Sequence, residues 1–216
     1  MLHTTLQKTA PATLVAVSKY QPDAAVLELY AQGQRIFAES KAQDLEARAQ
    51  RFPNDIEWHF IGHLQTNKIK QVVPYARLIH SVDSEKLLYA IDDFLNTKSD
   101  VFTEKIDVLL QIKIAEEDSK YGFSPNDLSD TLDKITQNPL ANVRIVGLMG
   151  MATNTENDEK IRAEFKILNT IFKQIQEKYF YKQLYFNTLS MGMSSDFEIA
   201  IEEGSTMVRI GSLLFA

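Results

Sequence analysis

The sequence predicts a single (β/α)8 barrel of the TIM type, and three observations carry that expectation. Eight short β-prone apolar runs are spread along 216 residues. Helical patterns separate them, whereas a doubly wound open sheet usually shows roughly five or six strands. No linker, internal repeat or low-complexity tract divides the chain. Residues 1–216 therefore read as one domain, with residues 1–12 as a short N-terminal extension.

The elements follow in order. Residues 14–17 (Leu-Val-Ala-Val) form the first strand; Pro22 and Asp23 then open a helix over 24–32 that Gly33 stops as a C-terminal cap. Residues 35–38 give a second strand, followed by a mixed-charge helix over 40–50 with Pro53 and Asn54 at its exit. Residues 57–61 are the third strand, 65–73 a brief amphipathic helix ended by Pro74, and 78–82 the fourth strand. Ser84 caps the next helix, on which Leu87, Leu88, Ile91, Phe94 and Leu95 fall at helical spacing. Residues 106–114 make the fifth strand, Ser124 and Pro125 start a helix to about Thr136, and residues 143–149 make the sixth strand. Between 157 and 178, Ile161, Phe165, Leu168, Ile171, Phe172 and Ile175 recur every three or four residues, the pattern of a long amphipathic helix. Residues 184–189 are the seventh strand, 197–202 a short helix stopped by Gly204, and 207–210 the eighth strand.

Composition narrows the function. A chain with 44% hydrophobic and 24% charged residues has an ordinary globular make-up. With 23 Lys+Arg against 29 Asp+Glu, the net charge of -6 argues against a general binder of nucleic acid or acidic membrane, since phosphate affinity comes mostly from clustered cations. The absence of cysteine removes disulfides, thiolate nucleophiles and Cys-ligated metal sites, and makes a cytoplasmic location the default. The first residues carry no signal-peptide pattern, and no apolar run approaches the roughly 20 residues of a membrane span. No interface pattern stands out, so a monomer is expected.

In a barrel of this kind the chemistry sits just after each strand. Lys19 follows the first strand; held among apolar walls, such an amine loses stability as the ammonium and becomes able to attack an aldehyde. The small and hydroxyl residues Ser190, Gly192, Gly204, Ser205, Thr206, Gly211 and Ser212, with Met191 among them, surround the last two strands, where barrels commonly bind phosphate. Arg209 sits inside an apolar β run, where a guanidinium needs a partner: either a carboxylate such as Glu39 or Asp196, or an acceptor on a ligand. His59 and His63 stand four apart, but an apparent strand and Gly62 deny them one helical face, so no metal site is expected. His80 reads as a core or pocket histidine. Met149, Met151, Met191 and Met193 follow strands six and seven, as a soft pocket wall or plain core filling.

These blocks together resemble the YggS/PROSC family of pyridoxal 5′-phosphate (PLP) homeostasis proteins, single barrels similar to the N-terminal domain of alanine racemase. The matching stretches are 14–19 (LVAVSK), 58–68 (WHFIGHLQTNK), 79–83 (IHSVD), 147–149 (GLM), 189–194 (LSMGMS) and 204–211 (GSTMVRIG), and the likeness covers nearly the whole chain. It implies that Lys19 holds PLP as an internal aldimine, that Arg209 faces the pyridine nitrogen, that the phosphate lies near Ser190, Ser205, Thr206 and Gly211, and that Met191 also belongs to the cofactor site. An arginine donates to that nitrogen without leaving a proton there, so the ring stays a weak electron sink. The resemblance implies a carrier in PLP and amino-acid homeostasis, with apo PLP-dependent enzymes as candidate recipients, in preference to an amino-acid racemase. A two-base racemase needs a second acid/base from an additional domain, and the sequence ends five residues beyond Gly211. A Schiff-base aldolase acting on a phosphorylated sugar ranks third. The chain departs from the family at Ala38 and Ser40, where Gly and Asn are usual, at Gly150, where Met-Thr-Met is usual and a looser pocket edge is expected, and in its shortened N-terminus.

Overall fold

Strand alternation decides the architecture. In a computed structural model, which describes residues 2–98, 102–115 and 121–215, the strands are β1 Thr13–Val17, β2 Ile36–Glu39, β3 Glu57–Phe60, β4 Leu78–Val82, β5 Ile106–Gln111, β6 Val143–Met149, β7 Thr188–Ser190 and β8 Met207–Ile210. All are parallel and pair in sequence order. β8 closes on β1, from Thr13 opposite Met207 to Ala16 opposite Ile210. Successive side chains point to opposite faces. Val15, Ala38, Leu78, Leu109, Val146, Met149 and Met207 accordingly pack together inside the barrel. Leu14, Ala16, Phe37, Trp58, Phe60, Ile79, Val108, Leu110, Val208 and Ile210 join the larger core between strands and helices.

The helical layer comprises α1 Leu2–Thr9, α2 Asp23–Ala31, α3 Ala42–Ala49, α4 Ile69–Val72 after a 3₁₀ turn at Thr66–Lys68, α5 Glu85–Asn96, α6 Pro125–Gln137, α7 Asp158–Tyr179 and α8 Phe197–Glu202. Side-chain oxygens of Ser84, Ser124 and Asn157 accept from the amides of Leu87, Asp127 and Lys160, which fixes the starts of α5, α6 and α7. α5 buries Leu87, Leu88, Ile91 and Leu95; each such side chain stabilises the fold by about 1.5–3 kcal/mol. Close approach also constrains β6: a Cβ at Gly147 would lie 1.7 Å from the Thr188 carbonyl oxygen, so only glycine lets β7 lie alongside.

Four expectations change. The N-terminal extension is not bare chain: α1 packs near α8 and β1, with Leu2 and Thr9 buried and Lys8 paired with Glu198 at 3.5 Å. β7 is three residues long, because 184–187 form a turn in which Leu184 is 90% exposed. Of that segment Phe186 alone turns fully inward, stacked on Phe180 and Phe172 at 4.2 and 5.0 Å between ring centroids. β5 ends at Gln111, beyond which Ile112 makes only a bridge to Phe123. Gly150 does not loosen the pocket edge: Leu168 and Ile114 fill the space a side chain would take there, at 2.7 and 3.0 Å from an added Cβ. Among the described residues no helix is long and apolar enough to cross a membrane.

Candidate functional site

The C-terminal rim of the barrel gathers Lys19, Gly192, Ser194 and Gly211 above a buried polar chain. Lys19 is exposed, in the turn that follows β1. The apolar walls expected around its amine are therefore not found. Gly192 has φ +97°, and a Cβ there would meet that of Ala200 at 2.6 Å, so glycine is needed for the loop after β7 to turn back under α8. The loop after β8 is tied to it: the Gly211 amide donates to Ser194 Oγ at 3.3 Å.

Arg209 lies one residue before the end of β8 and is 4% exposed. Its Nη1 donates to Ser190 O at 2.9 Å and Ser190 Oγ at 2.7 Å, and its Nη2 to Gly150 O at 3.2 Å. Neither carboxylate named as a partner accepts these three bonds: Glu39 is held by Arg48 and Ser18, and Asp196 acts on Arg209 through its charge. Among the described residues nothing accepts from the Arg209 Nε–H. Burial lowers the guanidinium to about 10, partly opposed by Asp196, so it stays charged at neutral pH.

The chain continues across the barrel interior. His80 Nδ1 is 3.1 Å from Ser190 Oγ, and His80 Nε2 is 3.0 Å from His59 Nδ1. Arginine only donates, so Ser190 Oγ accepts from it, and the serine's own hydrogen is available to His80 Nδ1. His80 then carries its proton on Nε2 and donates to His59. Burial pushes His59 down to about 3, helped by the charge of Arg77. It also holds His80 well below the usual histidine range, with His59 and Arg209 acting in the same sense. Both rings are neutral at pH 7.

This arrangement has a pH signature. A histidine whose folded pKa lies below its unfolded value near 6.5 contributes stability that is present above about pH 6.5 and lost as pH falls towards 3. At about 1.4 kcal/mol per pH unit, His59 alone should account for about 2.5 kcal/mol of stability lost between pH 7 and pH 4.5. Urea unfolding at the two pH values checks this. His59→Gln should lose that much less on acidification, and an equal loss in the variant would show that His59 titrates normally in the fold.

The remaining expected residues divide. Met191 is fully buried after β7, and its amide already donates to Met207 O at 3.2 Å. Ser205 and Thr206 precede β8, at the opposite rim; about five residues of strand, or about 16 Å, separate Thr206 from Gly211. Ser205 Oγ donates to the β7 segment, with Met191 O at 2.8 Å, and Thr206 Oγ1 accepts from the Leu189 amide at 2.8 Å. They fasten β8 to β7 and do not reach the mouth. Ser194, by contrast, lies beyond the C-terminal end of β7, on the side where barrel chemistry follows the strands, and its Oγ accepts from the Gly211 amide. Glu39 and Ser18 are likewise brought together at the tops of β2 and β1, 2.7 Å apart. Ala38 supplies the carbonyl that accepts from the Ser18 amide at 3.0 Å, and the Ser40 carbonyl packs against Gly62. His63 stacks on Tyr121 and contacts Asp83 at 2.9 Å. Among the described residues no group of three His, Cys, Asp or Glu side chains is placed to hold a metal ion.

An amine at the mouth, a fixed cationic donor beneath it and a glycine–serine rim define a cofactor-type (β/α)8 barrel. The chain belongs to the alanine racemase N-terminal-domain family, whose model matches residues 3–216. It is 37% identical over 207 residues to the pyridoxal phosphate homeostasis protein of Aquifex aeolicus, covering 94% of this chain and 86% of that one. A protein of the same name from Vibrio alginolyticus is also 37% identical, over 94% of this chain and 84% of its own. Among solved structures, PipY of Synechococcus elongatus with PLP bound is 35% identical and superposes with a TM-score of 0.86, covering 99% of this chain and 98% of PipY.

Proposed function

We propose that this chain binds PLP at the barrel mouth and serves PLP and amino-acid homeostasis in the cytoplasm, without a robust reaction of its own. The observation that carries the proposal is Arg209: a buried, charged guanidinium pinned by Ser190 and Gly150, with an Nε–H for which the described residues offer no acceptor. That donor suits a heterocyclic nitrogen. Lys19 supplies the amine for a covalent bond to the cofactor's aldehyde carbon, and the Gly192–Ser194 and Gly211–Ser212 loops supply small residues and hydroxyls for a phosphate. The names of the homeostasis proteins and of PLP-bound PipY agree with this reading.

PLP, when bound, supplies an electrophilic carbon and an electron-withdrawing ring. The residues of this chain restrain that chemistry. Arg209 donates a hydrogen bond and keeps its own proton, because about 10 is far above the working pH. Ser190 and His80 hold the guanidinium in one orientation, and both histidines are neutral at pH 7, so no second cation approaches it from their side. We take the protein to be a monomer and a holder of PLP, with apo PLP-dependent enzymes as its candidate recipients.

The test is the visible spectrum of the purified, PLP-loaded protein before and after borohydride reduction, with peptide mass mapping. A yellow band that reduction fixes on Lys19 is expected. A protein that stays colourless with added PLP would overturn the reading and favour the phosphosugar aldolase. Incubation with L-alanine or L-serine should yield no D-isomer above a protein-free control; clear turnover would make it a racemase.

A further inference from the structure

The turn that carries Lys19 is built in an unusual way. The Gln21 amide donates to Ser18 O at 3.0 Å, so residues 18–21 form a β-turn with Lys19 and Tyr20 at its centre. Tyr20 has φ +64°, in the left-handed region that a type II turn requires at this position and that glycine or asparagine usually supplies. Tyr20 is 73% exposed, so packing of its own side chain does not hold it there.

What does hold it is Arg48, on the inner face of α3, with its side chain 10% exposed. Its Nη1 donates to Ser18 O at 2.9 Å and to Glu39 Oε1, its Nη2 to Gln21 O, and its Nε to Asp23 Oδ1 at 3.2 Å. One planar guanidinium thus bridges both ends of the turn and the first residue of α2. Glu39, fully buried at the top of β2, anchors the fork from below and also accepts from Ser18 Oγ at 2.7 Å. A lysine ammonium donates from a single nitrogen and does not reproduce contacts spread over three guanidinium nitrogens.

We propose that Arg48, seated on Glu39, is a positioning residue for Lys19: it clamps the strained turn that presents the lysine at the barrel mouth. This rests on the PLP reading above. Arg48 touches no substrate and acts only through the backbone on either side of Lys19.

The test uses full-length protein carrying Arg48→Met or Arg48→Lys. Two quantities are measured: the PLP dissociation constant, from the visible band, and hydrogen exchange of the Gln21 amide in PLP-free protein. Arg48→Met should weaken PLP binding tenfold or more and speed exchange at Gln21 by a similar factor. Arg48→Lys retains a charge beside Glu39 and should melt close to wild type, yet still bind PLP several-fold more weakly. A purely structural arginine predicts the opposite split: lower thermal stability in Arg48→Met, with PLP affinity and Gln21 exchange unchanged in both variants, which would overturn the clamp. Should Arg48→Met fail to fold, Asp23→Ala removes one arm; twofold or greater weakening of PLP binding supports the clamp, and wild-type binding and exchange overturn it. Failure of the PLP reading is a separate result, since wild-type protein would then carry no adduct on Lys19, whereas normal wild-type loading with unaltered variants sinks the clamp alone.

Discussion

Replacing Lys19 with alanine should abolish the visible band of the PLP-loaded protein while leaving the fold intact. The side chain is exposed in a turn beyond β1 and contributes nothing to either hydrophobic core, so its removal should change thermal stability by no more than about 0.5 kcal/mol. The covalent bond has no second donor in this reading. Lys41 lies over the ring of Tyr20 at 5.0 Å and stands at the start of α3. What survives should be non-covalent: the hydrogen bond from Arg209 and the phosphate contacts of the Gly192 and Gly211 loops. Loss of the covalent link should weaken retention on the order of a hundredfold, equivalent to about 3 kcal/mol. Titration of Lys19→Ala with PLP, followed by absorbance and by retention through gel filtration, measures both. An unchanged band that reduction fixes on another lysine would remove Lys19 from the site.

The sequence made some of this site legible and hid the rest for identifiable reasons. Arg209 stood out because an arginine within Met-Val-Arg-Ile must have a partner, and that reasoning holds whatever the fold. The partners themselves did not stand out. Ser190 and Gly150 come from β7 and the loop after β6, and their approach depends on barrel closure and register. The same holds for His59 and His80, 21 residues apart and joined only because β3 lies beside β4. Ser205 and Thr206 suit a phosphate by residue type and by the family likeness, but strand direction puts them elsewhere: both precede Met207 and so lie at the N-terminal end of β8. Residues 184–187 mimic a strand through Leu184, Tyr185 and Phe186, yet the aromatic stack that takes Phe186 inward leaves its neighbours in a turn. Arg48 was readable in principle. It falls three residues after Leu45 on the face of α3 that also buries Ala42, a place where a cation needs a carboxylate, and Glu39 directly follows the second predicted strand, 35–38.

Arg209→Glu should both shift the spectrum of bound PLP and lower the stability of the cofactor-free protein. The wild-type guanidinium sits among the Ser190 and Gly150 carbonyls, which are acceptors. A carboxylate there would face oxygen lone pairs in a site 4% exposed, with Asp196 adding a like charge from nearby. An uncompensated buried charge of this kind costs about 3–5 kcal/mol. The glutamate should therefore protonate, and a neutral carboxyl group can still donate one hydrogen bond, to Ser190 or towards the mouth. Either way the fixed positive charge that would face the ring nitrogen is gone, so the absorption band should move and PLP retention should fall tenfold or more. Arg209→Met separates the two effects: it restores most of the stability by removing the buried acid, but it offers the ring nitrogen no donor. Thermal melting without PLP and spectrophotometric titration with PLP distinguish the outcomes. If Arg209→Met bound PLP with the wild-type affinity and spectrum, Arg209 would be a strut between β6, β7 and β8, and the ring nitrogen would have to be met by another group.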